Sequence, residues 1–573
     1  MNIVSKIKGN LIVMLFFVLI RIPVYAEKTG PETIYLHTDR TVYVAVESIR
    51  YKLYVLDGVT QKLSYNSKVG YIEIRAAYQL PAIQCRVKID AGISNGSILL
   101  PDTLTSGVYQ LVAFTSFMKN YNESGFFRNE IVVINSFDKD MNFKLLYPDY
   151  KIVSDSIDKP FNIIPNKKIY NTREKVSVRI DKTGINANLS VSVFENPRIQ
   201  TSCNSITELM HKAAIQHLDM LVNKKYVPEQ NGKILRGSVL DSITGQPVAN
   251  ATVLLSCIDS VPNLQVAKTN SEGLFQLLLN EYYEGKELFL TIRDMPSTQH
   301  WKIEREDEFS LSEKWNPTFK YDTGIYNSFF VKSENIAYIN QNYPAEQEYG
   351  SPELSGKKAY LPQLYYCSVN PVILSDYTPL NDFKEIVREL FPQVRITKEN
   401  GNYRVSVLNG SQKMFSDAEI AIFLDGVYVD DLNKIMGLGS EQIKKIEILN
   451  TERIFGNLVY KGVISIISKS SVMVKTTPSS WSLRFRNDRF NGSDNYVVEN
   501  PDSIHDKRTP YFRQLLYWNP NLALKEGEST GFDFITSDNE GNFLIKVEGI
   551  SDDEHPLSFT SEIQVIKHLS AEK

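Results

Sequence analysis

Residues 422–469 decide how the chain is read: Ile422–Asp431 is IFLDGVYVDD, Gly437–Asn450 is GLGSEQIKKIEILN, and Gly456–Lys469 is GNLVYKGVISIISK. Two short apolar runs, Ile422–Leu424 and Val427–Val429, are joined by Asp425-Gly426. Asp-Gly between such runs is a strong hairpin signal, because both residues tolerate positive φ. Ser440 is expected to cap a short helical turn that points Ile443 inward, with Ile446–Leu449 returning as a strand. Behind the Gly462 breaker, Val463–Ile467 reads as a third β-rich run.

These three pieces, in this order, resemble the plug domain of TonB-dependent outer-membrane receptors. The resemblance covers about fifty residues and implies a small α+β domain. The residues after Lys469 are too few for a receptor barrel of about twenty-two strands at roughly 10 residues each. The expectation is a plug-like domain without a pore.

The first 26 residues carry Lys6 and Lys8, an apolar run Leu11–Ile20, and Val24-Tyr25-Ala26, which reads as a cleavable secretory signal. The apolar run is too short to span a bilayer. No second long apolar stretch follows, so no transmembrane segment is expected in the mature chain. The formal net charge is −4, and loss of residues 1–26 removes three basic and no acidic residues. With Lys and Arg scattered, that balance argues against a nucleic-acid partner. The length implies several domains. Four widely spaced cysteines (Cys85, Cys203, Cys257, Cys367) exclude Cys-x-x-Cys chemistry; in an exported chain they allow three disulfide pairings, among which the sequence does not choose.

From Ile34 to Asp57 the sequence IYLHTDRTVYVAVESIRYKLYVLD is rich in Tyr, Val and Ile with no helical period, which makes it strand-forming. Together with Leu99–Leu104, Ser106–Thr115 and Phe126–Arg128 it resembles the immunoglobulin-like sandwiches of the alpha-macroglobulin family, and a domain is expected over 27–140. A fainter copy, opened by Tyr170–Val176 and continued by the alternating strand Leu189–Phe194, suggests a truncated or open second sandwich over 141–230. Within it, Ile206, Leu209, Met210, Ala213, Leu218 and Leu221 share a helical face, and Ser205 with Glu208 forms a capping box, giving a connecting helix over 205–222.

Residues 231–293 contain ILRGSVLDSITGQPVANATVLLS and KTNSEGLFQLLL, each a strand, a turn and a strand. They resemble the carboxypeptidase regulatory-like domain, which implies a small transthyretin-type sandwich. Residues 294–380 read as an irregular connection whose aromatics argue against free disorder. The plug-like domain spans 381–470 and opens with an amphipathic helix, Asp382–Leu390, ended by Pro392. The remainder, 471–573, with Tyr517-Trp518-Asn519-Pro520, Thr530–Ser537 and Asn542–Gly549, again resembles a macroglobulin-type sandwich.

The chemistry these resemblances suggest lacks its residues. No cysteine sits in the Cys-Gly-Glu-Gln stretch of thioester-bearing macroglobulins. None of the seven histidines (His37, His211, His217, His300, His505, His555, His568) has the His-x-x-Glu spacing of a zinc peptidase. Gly92-Ile93-Ser94-Asn95-Gly96 fits G-x-S-x-G, but a strand follows where a nucleophile elbow needs a helix. Gly437-Leu438-Gly439 lacks the third glycine of a phosphate loop, and no βαβ unit surrounds it. His211 and His217, six apart on one helix, cannot share a metal. Asp430/Asp431 and Asp552/Asp553 read as solvated turns, with a calcium loop at Asp430/Asp431 as the alternative. Aromatics are read as core, with sugar-stacking as the alternative. Asp102-Thr103-Leu104, Asp155-Ser156-Ile157, Asp241-Ser242-Ile243, Asp259-Ser260-Val261 and Asp502-Ser503-Ile504 resemble a tripeptide that some Gram-negative anaerobes O-glycosylate; Asp-Ser/Thr turns are the plain alternative.

The sequence therefore predicts a mainly β, multi-domain protein: Ig-like and transthyretin-like sandwiches plus one small α+β plug-like domain. No catalytic, cofactor-binding or metal site is expected, and no cofactor. The function expected is non-catalytic binding and scaffolding in the periplasm or at the outer membrane, with a protein partner there. The alternatives are an accessory glycan- or peptide-binding protein of a nutrient-uptake system, or a macroglobulin-type protease inhibitor without thioester, with 294–377 as its bait loop.

Overall fold

The computed structural model describes residues 31–76, 80–121, 125–135, 138, 162–181, 184–197, 205–210, 225–293, 300–309, 315, 323–342, 371–399, 401–408, 415–416, 419–470, 482–492 and 510–567. The expected signal segment, the helix beyond Met210, Cys203 and Cys367, and four of the seven histidines (His211, His217, His505, His568) lie outside them. The architecture is mainly β, as expected, and consists of four packed units.

The first sandwich packs a three-stranded sheet (Glu32–Thr38, Ser48–Asp57, Ile93–Leu99) on a five-stranded one (Val42–Val44, Phe127–Ile134, Gly107–Thr115, Val69–Ala76, Pro81–Lys88). Alternating Tyr, Ile, Val and Phe from both sheets fill its core, including fully buried Tyr35, Tyr51, Tyr54, Tyr71 and Phe114.

The second sandwich is discontinuous in sequence. Ala187–Glu195 is flanked on both sides by strands from the far end of the chain: Val193 lies opposite Tyr517 on one side and Ile545 on the other. Lys175–Ile180 pairs with Thr530–Ile535, and Ile169–Asn171 runs parallel to Pro556–Ile566. Residues 162–195 and 515–566 are thus two halves of one domain, which corrects the expected separate units 141–230 and 471–573. Either half alone leaves an apolar face uncovered, and only the two together enclose the core of Val191, Val193, Phe534, Ile545 and Val547.

The small sandwich is interrupted in the same way. Its sheets are Leu274–Leu279, Lys233–Asp241, Trp301–Arg305 and Gln265–Lys268, Thr252–Cys257, Glu287–Arg293, Ser482–Arg486. Trp301–Arg305 falls in the stretch expected to be irregular, and Ser482–Arg486 arrives after the α+β unit. The same stretch contains a helix, Thr323–Asn342, whose Phe330 is buried against Val42, Val44, Val132 and Ile134 of the first sandwich. Lys332 and Ser333 on that helix bond Glu195 and Gln514 of the second sandwich, at 2.5 and 2.7 Å. The helix is polar enough (TGIYNSFFVKSENIAYINQN) to hide its apolar stripe from a periodicity reading.

In the α+β unit, the Asp425-Gly426 hairpin forms as the sequence requires, with φ of 49° and 84° at the two turn residues and Leu424 opposite Val427. Ala421–Leu424 runs parallel to Val463–Ser468, which pairs antiparallel with Ile443–Leu449. The helix Phe383–Leu390 is capped by Asp382, whose carboxylate accepts from the Glu385 N–H at 2.7 Å, and it buries Phe383, Ile386 and Val387. The strand begins at Ile443. Ser440 caps no helix; its hydroxyl accepts from the Leu380 N–H at 2.9 Å, tying the turn to the chain ahead of that helix.

Candidate interdomain site

The sequence motifs dissolve into structural roles. Ser94 of the G-x-S-x-G stretch lies near the start of the strand Ile93–Leu99, opposite Leu53, and a strand rather than a helix follows, so no elbow exists. Gly439 packs where a Cβ would stand 2.6 Å from the Asn381 carbonyl, which explains the glycine without a phosphate. Asp430 bonds Lys434 at 3.0 Å, and Asp431 accepts from the Asn433 N–H at 2.9 Å, so both carboxylates serve their own turn. The three described Asp-Ser/Thr tripeptides place Thr103, Ser242 and Ser260 on exposed turns; Asp241 closes its turn by accepting from Ile243 and Thr244 N–H groups. Cys85 and Cys257 are free thiols, and burial pushes the Cys85 thiol up to about 12. Among the described residues no group of three or more His, Cys, Asp or Glu is placed to hold a metal ion. No helix among them is long and apolar enough to cross a membrane.

The unusual chemistry lies where the units meet. Between the two large sandwiches, His37 Nδ1 is 2.7 Å from Ser190 Oγ, and Ser190 donates onward to the Glu548 carbonyl at 3.0 Å. The distance suits a nucleophile and its base, but His37 is 1% exposed and Ser190 fully buried, so no substrate reaches them. Burial, then the charges of Lys546 and Lys52, hold His37 well below its usual range and therefore neutral. Lys52, bonded to Asn188 at 2.5 Å, is pushed by burial down to about 7.

Between the first and small sandwiches lies a second polar cluster, which frames a cleft. Glu229 is 1% exposed, accepts from the Tyr71 hydroxyl at 2.9 Å and the Ile234 N–H at 2.7 Å, and is pushed by burial up to about 7. Arg86 reaches across to Asn487 at 2.7 Å and to the Asp488 carbonyl at 2.6 Å. Lys119 donates to the carbonyls of Glu308 and Phe309, and the Phe309 ring stands edge-on to Tyr71. Arg236 donates to Ser116 at 3.0 Å with its guanidinium 5.0 Å from the Tyr226 ring centre. None of these residues stood out in the sequence. A buried charge on a strand has no local signature, because its partners are hundreds of residues away. The one available hint is Arg236 and Lys233 in an otherwise apolar strand, KILRGSVLD.

The small sandwich and the α+β unit are joined at the Asp425-Gly426 turn. A Cβ on Gly426 would lie 2.7 Å from the carbonyls of Cys257 and Asp259, and the Asp259 N–H donates to the Asp425 carbonyl at 3.0 Å. Around it Leu254 and Leu264 pack with Phe423, Phe455 and Tyr460.

No known protein family matches this chain, and no curated protein does. Among solved structures it is similar to trypsin-activated alpha-2-macroglobulin from Escherichia coli at 9% identity, over 94% of this chain and 42% of that one, with a TM-score of 0.24. The native conformation of E. coli alpha-2-macroglobulin aligns at 8% identity over 94% and 40%, with a TM-score of 0.25. The Yersinia pseudotuberculosis adhesin InvE aligns at 11% identity over 48% and 59%, with a TM-score of 0.14. The chain spans less than half the length of those two macroglobulin chains, and likeness at this level identifies no activity.

Proposed function

We propose that this is a non-catalytic binding and scaffolding protein of the bacterial envelope, exported by its N-terminal segment and engaging a protein partner in the periplasm or at the outer membrane. The observation that carries the reading is a free sheet edge. Thr530–Ile535 pairs with Lys175–Ile180 on one side, and no backbone partner meets its other side among the described residues. It has no proline and no bulge, and its one charge, Asp533, is turned to Lys175 at 2.9 Å. Such an edge lacks the usual blocks against strand addition, so an extended segment of a partner extends the sheet there by main-chain hydrogen bonds. The plug-like reading of 381–470 supports an outer-membrane transport or assembly complex as the place of engagement. A photo-crosslinking residue at Asp533, in intact envelopes, is expected to give a discrete and reproducible adduct with one polypeptide. Yields no higher than from the exposed turn residue Glu526 would defeat the proposal.

A further inference from the structure

Among the described residues the second sandwich has four edge strands, and three of them carry features that stop a further strand from adding. Ile163–Pro165 is three residues long and ends in proline, and Ile169–Asn171 is equally short. Leu515–Leu524 contains Pro520 and pairs with two register shifts. Thr530–Ile535 has none of these. The Ser177 carbonyl accepts from the Asn166 N–H on the far side of its strand, so the pair Ser177–Asp533 exchanges no hydrogen bonds. Bonded and non-bonded pairs alternate along such a ladder. Gly531, Asp533 and Ile535 therefore all turn their N–H and carbonyl groups away from Lys175–Ile180, toward the open side. Gly531 and Asp533 are exposed, whereas Phe532 and Phe534 point from the opposite face into the core.

On the outer face the charge beside the open edge is Asp533, whose pairing with Lys175 at 2.9 Å leaves it 49% exposed. The chain around it is acidic: residues 525–540 hold Glu526, Glu528, Asp533, Asp538 and Glu540 against Lys525 alone, and of these Asp538 is paired with Arg173. A two-fold contact with a second copy that used all three open residues would set Asp533 against Asp533, so the edge favours a foreign strand.

We propose, on the footing that this edge takes an added strand, that the partner is a basic strand with a Lys or Arg opposite Asp533 and apolar residues on either side of it. The alternation follows from the pleat. A residue opposite Asp533 shares its outer face, and its two neighbours turn to the inner face, beside Phe532 and Phe534. Phe532, stacked on Tyr517 at 4.6 Å, forms the rim of a core that those apolar side chains extend.

Fluorescence anisotropy of the intact protein with a labelled peptide, Val-Thr-Val-Lys-Val-Thr-Val on a Gly-Ser spacer, tests this against two relatives: the same peptide with Glu in place of Lys, and one N-methylated at the Lys amide. The Lys peptide is expected to bind about threefold or more tightly than the Glu peptide, and N-methylation, which removes a ladder donor, should weaken it. Asp533→Lys should reverse the order of the Lys and Glu peptides. Asp533→Asn should bring the two together, and it keeps the test decisive where Asp533→Lys fails to fold. Equal binding of the Lys and Glu peptides, with binding still lost on N-methylation, would overturn the basic partner and leave strand addition standing. No binding by either, or binding indifferent to N-methylation, would defeat strand addition at this edge and the basic partner with it. Concentration-dependent dimerisation in analytical ultracentrifugation that excess Lys peptide reverses would assign the edge to a second copy and overturn the proposal.

Discussion

At the scale of single residues, the buried ionisable groups set how the units respond to pH. Glu229 has its carboxyl raised by burial from 4.5 to about 7, against the pull of the Ile234 N–H, Arg236, Tyr71 and Lys233. The folded state therefore holds its proton more tightly than the unfolded chain. Its contribution to stability is fully present below 4.5 and is lost as pH rises through about 7. Glu229→Gln, which stays neutral, should remove that loss: the melting temperature of the variant relative to the unaltered protein rises between pH 4.5 and 7 and levels off above. A difference that is flat across this window would show that Glu229 titrates normally. Asp425 belongs to the same scale but was legible. Its turn follows from Asp-Gly, and the structure adds only that its carboxylate accepts from the Ser468 N–H at 2.8 Å and hydroxyl at 2.6 Å.

At the scale of elements, strand identity was readable from alternation in Leu189–Phe194 and from the strand-turn-strand pattern over Thr530–Ser537 and Asn542–Gly549, and pairing was not. Nothing local in LSVSVF specifies Tyr517 and Ile545 as flanking partners of Val193. If these strands form one sheet, a cavity made in one is felt in the other. Ile545→Ala, at a fully buried position, should cost about 2–5 kcal/mol, and the amides of Ala187–Glu195 should lose protection by that same amount in native-state hydrogen exchange. Unchanged protection there would separate the two halves again. The helix Thr323–Asn342 escaped the sequence reading because its apolar residues Phe330 and Ile336 sit among Asn, Ser and Lys, and only the surface it covers makes them a face.

At the scale of the molecule, the units are nested. The second sandwich opens to admit the small one, and the small sandwich opens in turn to admit the α+β unit. The chain's last strands are thus held by strands of residues 169–195, across an interface with a buried apolar core. A protease site placed within 493–509 and cut should leave both fragments together on size-exclusion chromatography, parting only in denaturant. Fragments that separate under native conditions would contradict the shared sandwich.

What the sequence determined by itself is what depends on near neighbours: a β-rich chain, the Asp-Gly hairpin, the short amphipathic helix over Asp382–Leu390, and the mainly β, multi-domain character of the whole. Turn chemistry and alternation act over a few residues and survive without context. The joining of distant strands and the burial of Glu229, His37 and Lys52 were decided only in three dimensions. Backbone pairing carries no address in the local sequence, and a charge becomes unusual only when folding removes its water.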